Sequence, residues 1–206
     1  MGITTYAELK SAIADWLLRD DLTAVIPSFV SLAEAKFNRN IRDYRMMKRL
    51  SVTVDAEYED VPSDWLQTSR YQLDTTPITT LEFVTPDQAA EEARRYNGAG
   101  RPLFFSVVGT QFQHVPAPDA AYTGALTYYS RIPALSDSVT TNWLLEAAPD
   151  VYLYGALMEA APYLDDQEKL ATWSGLMDRA MQNIRIESER AATGSSALRM
   201  RAKAMG

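Results

Sequence analysis

The stretch TNWLLEAAPDVYLYGALMEAAPY, residues 141–163, constrains the fold of this chain most strongly. It contains no basic residue and only three acidic ones. The spacing predicts a helix from Asp150, directly after Pro149, to a second proline at position 162. A helix that is apolar on nearly every side needs burial on more than one face.

The two faces of this predicted helix allow two interpretations. One face is apolar at a period of 3.6 residues and consists of Val151, Tyr154, Leu157, Met158 and Ala161. The other has a single charge and two small residues that let a second backbone come close: Tyr152, Gly155, Ala156 and Glu159. The helix is either the centre of a single core or shared between that core and a neighbouring subunit. In the second case those four residues form the subunit interface.

Helical periodicity also marks both ends of the chain. A capping box formed by Thr5 and Glu8 precedes the first amphipathic stretch. Helices are predicted at residues 5–19, 27–42 and 165–192.

The residues between these helices favour β-structure. Leu50, Val52 and Val54 alternate with polar residues, which is the pattern of a half-buried strand. Gly109-Thr110, between two apolar runs, is typical of a hairpin turn. Strands are predicted at 49–56, 71–73, 81–84, 103–108, 111–115 and 125–132. A turn followed by a short helical turn is predicted at 61–66, and a short polar helix at 86–96.

Together these patterns predict an α+β fold. Residues 1–48 and 133–192 are expected to form one helical bundle, and residues 49–132 an inserted small antiparallel β layer. Residues 193–206 have little to bury and are expected to form a flexible basic arm.

Composition excludes several classes of function. The chain has no cysteine, which removes disulfides, thiolate metal sites and cysteine nucleophiles and fits a reducing compartment. It has one histidine, so a site with several histidine ligands cannot form within one chain. Its apolar runs are short for a membrane span, and no secretory signal is expected at the N-terminus. No cofactor or metal is predicted.

Charge is distributed unevenly along the sequence. The net charge is −7, which argues against wrapping around nucleic acid by the whole surface. The arm carries Arg199, Arg201 and Lys203 and no acid, so the rest of the chain carries −10. Three bases give only weak, salt-sensitive attraction to DNA, and docking of the arm on an acidic or apolar protein surface is at least as well supported.

Catalytic signatures are absent from the sequence. It has no phosphate-binding glycine loop and no nucleophile elbow. His114, in a predicted strand, is interpreted as structural because nothing around it follows the logic of a catalytic triad. Adjacent acids at Asp20-Asp21, Glu91-Glu92 and Asp165-Asp166 point about 100° apart on a helix and do not converge. Tyr128 and Tyr129 face opposite sides of a strand, so at most one joins the core.

The order of three structural patterns resembles the head-to-tail adaptor proteins of tailed bacteriophages. The first is YAELKSAIADWLLRDDLTAVIPSFVSLAEAKFNRNIR, at 6–42. The second comprises VPSDWLQ at 61–67, TTLEFVTP at 79–86 and GRPLFFSVVG at 100–109. The third and most specific is YYSRIPALSDSVTTNWLLEAAPDVYLYGALMEAAPYLDD, at 128–166.

This resemblance implies a non-enzymatic structural role in the virion neck, between the portal and the tail. About twelve subunits would assemble in the host cytoplasm as a ring below the portal protein. They would extend the DNA channel without binding DNA specifically and offer an attachment surface to a tail or nozzle protein. The resemblance also implies that the arm, with Arg199, Arg201 and Lys203, contacts the portal or a neighbouring subunit.

Two other classes of function stay open from the residues alone. One is a small carboxylate-dependent hydrolase of the β layer that acts on cell-wall glycans. The other is a DNA-binding module that works through the basic arm.

Overall fold

The structure, a computed structural model, describes residues 2–19, 21–96 and 98–193. These residues form six α-helices and two small sheets, which confirms the predicted α+β class. The helices are α1 (Tyr6–Leu17), α2 (Ile26–Asn40), α3 (Pro86–Arg95), α4 (Trp143–Ala147), α5 (Pro149–Tyr163) and α6 (Gln167–Thr193). The strands are β1 (Met47–Val54), β2 (Tyr58–Asp60), β3 (Trp65–Leu73), β4 (Thr79–Thr80), β5 (Glu82–Phe83), β6 (Phe104–Val108), β7 (Gln111–Val115) and β8 (Tyr122–Ser130).

The chain divides into two compact units. The first, the helical unit, contains the residues up to Arg45 and those from Ile132 onward. The second, the β unit, is Met46–Arg131. The last 13 residues of the predicted arm, 194–206, lie outside the described residues, as do Asp20 and Asn97.

The start of α1 is fixed by the capping box that the sequence predicts. The amide of Glu8 donates to Thr5 Oγ1 at 3.3 Å, and Glu8 Oε2 accepts from the amide of Thr5 at 3.0 Å. Hydrogen bonds from the hydroxyl and amide of Thr4, and then from Thr5, lower the pKa of the Glu8 carboxyl to about 2. The helix ends at Leu18, which takes a left-handed conformation with φ of 54°.

Helix α5 is the central element of the helical unit. It contacts α1, α2, α4 and α6, and eight of its residues are buried. The burial confirms that α5 lies in a core, as its all-round apolarity predicts. That the terminal helices form a bundle stays a prediction.

Proline and asparagine positions explain two differences from the predicted helices. Helix α5 does not stop at Pro162 but includes it in its last turn and ends at Tyr163. The short helix α4 was not predicted as a separate element. Asn142 caps it by accepting hydrogen bonds from the amides of Leu144 and Leu145.

The predicted antiparallel β layer consists of two sheets, and one pair of its strands is parallel. The first has the order β1-β8-β3-β4 and the second β2-β7-β6-β5, with β5 parallel to β6. The chain changes sheet at Leu81, whose amide donates to the carbonyl of Tyr71 in the first sheet at 2.9 Å. The next amide, of Glu82, donates to the carbonyl of Leu103, at the second sheet. Of the predicted strand at 81–84, only Glu82 and Phe83 therefore form a strand, β5.

The short helical turn predicted within 61–66 is wrong. A turn is present at residues 63 and 64, but Trp65 already begins β3 and pairs with Ser130. Its indole packs edge-on against Phe112, with ring centroids 5.8 Å apart. A long-range aromatic contact therefore decides the conformation that local sequence left ambiguous.

The core of the β unit lies on one face of β8 and its neighbours. Leu126 and Tyr128 are buried, whereas Thr127 and Tyr129 are half-buried, so the predicted alternation of β8 is confirmed. The core cluster consists of Val54, Tyr71, Leu73, Leu81, Phe105, Phe112, Leu126 and Tyr128.

A pair of helical glycines gives a matched test of packing. A Cβ on Gly155 would lie 2.5 Å from Phe37 Cζ, whereas one on Gly175 would meet nothing within 4 Å. Gly155→Ala should therefore lower the free energy of unfolding by about 1–3 kcal/mol through overpacking. Gly175→Ala should raise it by about 0.5–1 kcal/mol, since alanine is the better helix former. Urea denaturation of both variants checks the opposite signs, and a stabilising Gly155→Ala would contradict the close approach of α2 and α5.

Candidate functional site

Three of the four predicted interface residues, Tyr152, Gly155 and Glu159, lie where α5 packs on α2 of the same chain. Tyr152 and Ala156 are fully buried, and Gly155 is buried against the ring of Phe37. Glu159 forms an ion pair with Lys36 at the edge of this contact, and its side chain is 13% exposed. The structure brings Tyr152, Gly155 and Glu159 together on α2, and contact of the four residues with a second copy stays a prediction.

A buried polar network runs from α2 through α5 to the cap of α4. Glu34 Oε1 accepts a hydrogen bond from the Tyr152 hydroxyl at 3.1 Å. That hydroxyl accepts in turn from Asn142 Nδ2 at 2.7 Å. The side chains of all three residues are buried, and burial raises the pKa of both Glu34 and Tyr152. The network therefore holds a carboxyl group inside the helical unit with its partners in fixed positions.

The same residues hold an irregular segment that follows β8. The amide of Ile132 donates to Asn38 Oδ1 at 2.8 Å, and the amide of Leu135 donates to Glu34 Oε1 at 2.7 Å. Asn142 Nδ2 also donates to the carbonyl of Pro133 at 2.7 Å. Side chains of the helical unit therefore satisfy backbone groups that no strand or helix satisfies.

Sequence reasoning missed Glu34 and Asn142, although signals for both are present. Glu34 lies one turn after Val30 and one turn before Phe37, within an otherwise apolar stripe of α2. Asn142 immediately precedes the apolar run of α4, which is the position of a helix cap. A charged residue inside an apolar stripe indicates a buried partner, but only the fold shows which one.

Two adjoining clefts open between α2, α5 and α6. One, of about 630 Å³, lies between the end of α2 and the second half of α6. The other, of about 260 Å³, shares Asn40, Asp178 and Met181 with it and is also lined by Met158 and Met177. Methionine side chains adapt to irregular apolar surfaces, so the clefts offer packing surface for an apolar group.

His114 is buried in the β unit with both ring nitrogens bonded. Nδ1 lies 3.1 Å from the carbonyl oxygen of Ala56, which can only accept, so Nδ1 carries the proton. Nε2 then accepts from the Tyr71 hydroxyl at 3.0 Å. Burial lowers the pKa of His114, so the ring is neutral. This geometry confirms the predicted structural histidine.

The adjacent carboxylates serve local structure. Glu91 and Glu92 both pair with Arg95, at 3.2 and 2.8 Å. Asp166 accepts from the amide of Lys169 at the start of α6, as expected for an acid at a helix N-terminus. Within residues 2–19, 21–96 and 98–193, no group of three or more histidine, aspartate or glutamate side chains is placed to hold a metal ion.

No helix among the described residues is long and apolar enough to cross a membrane. Arg199, Arg201 and Lys203 of the predicted arm lie outside the described residues.

Comparison with known proteins identifies one family. A family model described as SU10 adaptor protein matches residues 4–201 of the 206. The matched range spans both units and extends into the arm. A comparison with curated proteins finds no match.

Substitution of Glu34 tests the buried network. Glu34→Ala should lower the free energy of unfolding by about 2–4 kcal/mol, because the Leu135 amide and the Tyr152 hydroxyl lose their acceptor. Glu34→Gln is the matched control, since it keeps an acceptor oxygen and removes the charge. It should lower the free energy of unfolding much less than Glu34→Ala. Urea denaturation at pH 7 measures both, and equal losses would contradict the role of Glu34 as acceptor.

The same pair of proteins tests the protonation of Glu34. Burial raises its pKa above the ordinary value of 4.5, so the folded protein binds the proton more tightly than the unfolded chain. The stability of the wild type relative to Glu34→Gln should therefore increase as pH falls from 7 to below 4.5. A difference that does not change with pH would contradict the raised pKa.

The single histidine allows a separate pH test. Because burial lowers the pKa of His114 below 6.5, the unfolded chain binds a proton that the folded ring does not. The free energy of unfolding should decrease as pH falls through 6.5 towards the folded pKa, and His114→Gln should lack this component. NMR of the one histidine ring should show no titration near pH 6.5 in the folded protein. A ring that titrates there would contradict its buried, neutral state.

Proposed function

The chain belongs to the SU10 adaptor protein family of phage head-to-tail adaptors, and from this membership we propose that it is a ring-forming subunit of the virion neck. In this proposal about twelve copies bind below the portal protein and extend the DNA channel. Their lower surface receives a tail or nozzle protein. The protein has a structural role without catalysis, and its ring assembles in the host cytoplasm. The family match over residues 4–201 is the observation that carries the proposal.

The negative charge of the chain supports a channel through which DNA passes without specific binding. Apart from the arm, the chain carries −10. Like charge opposes contact with DNA phosphates, so DNA can pass through a ring of such subunits without specific binding.

The buried network supports a rigid subunit. Glu34, Tyr152 and Asn142 connect α2, α5 and the cap of α4 through short hydrogen bonds. A ring closes only when every copy presents its contacts at the same angle, so fixed relations between helices favour assembly. Tyr152, Gly155 and Ala156 are buried within the chain, so the proposed contact with a neighbour would be made by Glu159 at the edge of this core.

The basic arm supports attachment to the portal. After Ile184, no residue of α6 is buried, and the helix ends at Thr193 just before the arm. Arg199, Arg201 and Lys203 follow without an intervening acid. A segment that orders only on binding can reach a partner surface and form charge-assisted contacts there.

Assembly on a purified portal ring tests the proposal. The full chain should be a monomer alone and should form a complex of about twelve copies per portal ring when mixed with it. Deletion of residues 195–206 should leave a folded monomer that no longer joins the portal, because the arm supplies the attachment. Native mass spectrometry measures both, with circular dichroism to verify folding.

A matched variant separates the charge of the arm from its length. Arg199→Ala with Arg201→Ala and Lys203→Ala keeps the length of the arm and removes the three charges. This variant should bind portal more weakly and with less dependence on salt.

A deletion variant that assembles normally would remove the arm from the proposal. A full chain that ignores portal rings but turns over peptidoglycan, with loss of turnover on acid-to-amide substitution, would replace the adaptor with the hydrolase.

A further inference from the structure

Three neighbouring strands of the first sheet, β1, β8 and β3, contain no acidic residue, although the chain carries −7. Arg49 of β1 and Arg70 of β3 are both in register with Thr127 of β8, which lies between them. The adjacent residues in register, Tyr71 and Leu126, belong to the core cluster. Because side chains alternate along a strand, the two arginines and Thr127 lie on the face opposite the core.

The two guanidinium groups on this face are unpaired. Both arginine side chains are exposed, and among the described residues neither guanidinium group forms an ion pair or a hydrogen bond. Strands are about 4.8 Å apart, so the backbones that carry the arginines are separated by about 10 Å. Both side chains can therefore approach one carboxylate above Thr127, and we name Arg49, Thr127 and Arg70 the arginine face.

A second charged feature of the β unit has the opposite sign. Residues 55–60, DAEYED, follow β1 and contain four acids and no base: Asp55, Glu57, Glu59 and Asp60. Glu59 accepts hydrogen bonds from the amides of Asp55 and Ala56 and so holds the turn. The other three acids are exposed, and within the described ranges none of the four forms an ion pair. We name residues 55–60 the acidic turn.

Among the described residues, no ion pair joins the two features within one copy. Asp55 follows Arg49 by six residues along an extended strand, which at about 3.3 Å per residue places them about 20 Å apart. Strands β1 and β3 are both antiparallel to β8, so Arg70 lies at the same level as Arg49. Asp55, where the acidic turn begins, is thus remote from both arginines of its own chain.

We propose that the arginine face of one copy binds the acidic turn of the next copy. The inference rests on the proposed ring, because a ring needs two different and complementary patches on every subunit. Arg49 and Arg70 then pair with Asp55 and Glu57 of the neighbouring copy. A second copy fits better than DNA, because a duplex at this small basic face would also meet the acidic remainder of the chain.

Engineered cysteines in this cysteine-free chain test the contact without changing a charge. Ser51→Cys lies beside Arg49 on the same face, and Tyr58→Cys lies within the acidic turn. The two full-length variants are mixed in oxidising buffer of low ionic strength, alone and with portal rings. They should form a mixed disulfide at least tenfold more than the control mixture of Ser51→Cys with Ile78→Cys, since Ile78 is exposed but lies outside the acidic turn. A yield of mixed disulfide no higher than that of the control mixture would overturn the proposal.

Charge reversal shows whether the ion pairs cause the contact. Adding Arg49→Glu and Arg70→Glu to the Ser51→Cys chain should reduce the cross-link at least tenfold. Adding Asp55→Lys and Glu57→Lys to its Tyr58→Cys partner should restore it, because both signs are then exchanged. A cross-link that ignores the first reversal, or is not restored by the second, would overturn the proposal. Unfolding midpoints equal to that of the wild type exclude misfolding as the cause.

Two further readouts separate this inference from the proposed function. Portal rings that bind a full set of subunits without the cross-link would overturn the inference alone. A cross-link in a chain that ignores portal rings would overturn the proposed portal attachment and leave the contact between copies. Duplex DNA binding by the wild type that is lost on arginine reversal would assign the arginine face to phosphate groups and overturn the inference.

Discussion

The helical unit depends on a carboxyl group, Glu34, that is buried among helices and accepts two hydrogen bonds through one oxygen. Its oxygen receives both a backbone amide, from Leu135, and the hydroxyl of Tyr152. Burying a carboxyl group is unfavourable, and burial raises the pKa of Glu34 accordingly. In return, the Glu34 carboxyl group holds the irregular segment at Leu135 and the central helix α5 in fixed positions relative to each other. Removing such a group costs more than the bond is worth, since its partners then remain buried and unpaired.

Close packing acts on the same pair of helices. Gly155 lets the ring of Phe37 approach the backbone of α5, and that ring packs edge-on against Tyr152 with centroids 5.2 Å apart. The ion pair of Lys36 with Glu159 lies at the edge of this contact. Apolar contact supplies most of the stabilisation of such a pair, and the polar contacts select one arrangement of the helices. For an adaptor, that selection matters because its role is to present surfaces at fixed angles.

Two patches of charge without ion pairs, of opposite sign, lie in the β unit. The inward face of the first sheet contributes to a core of aromatic and aliphatic side chains, whereas its outward face carries arginines without partners. Exposed ion pairs within one chain contribute little to stability, so leaving these groups unpaired costs the fold little. Between copies, complementary charges favour one orientation over others and make the contact sensitive to salt.

Local features of the fold could be predicted from the sequence, whereas the contacts of the candidate site could not. The capping box of Thr5 and Glu8, the alternation of β8 and the burial of α5 follow from patterns within about ten residues, and the structure has all three. Trp65 lies in a strand and not in a helical turn because its indole packs against Phe112. No local pattern predicts a contact between residues so far apart in the chain. The division of the strands into two sheets was missed for the same reason, since it depends on which distant strand each edge meets.

The sequence by itself determined the class of fold, the helix boundaries to within a few residues, the central position of α5 and the family of the chain. These depend on periodicity, capping residues and the order of structural patterns, all of which are local. Only the tertiary structure decided that Glu34 meets Tyr152 and Leu135, and that Arg49 and Arg70 lie on either side of Thr127. Such contacts join residues far apart in the chain, and their formation depends on how all the elements pack at once.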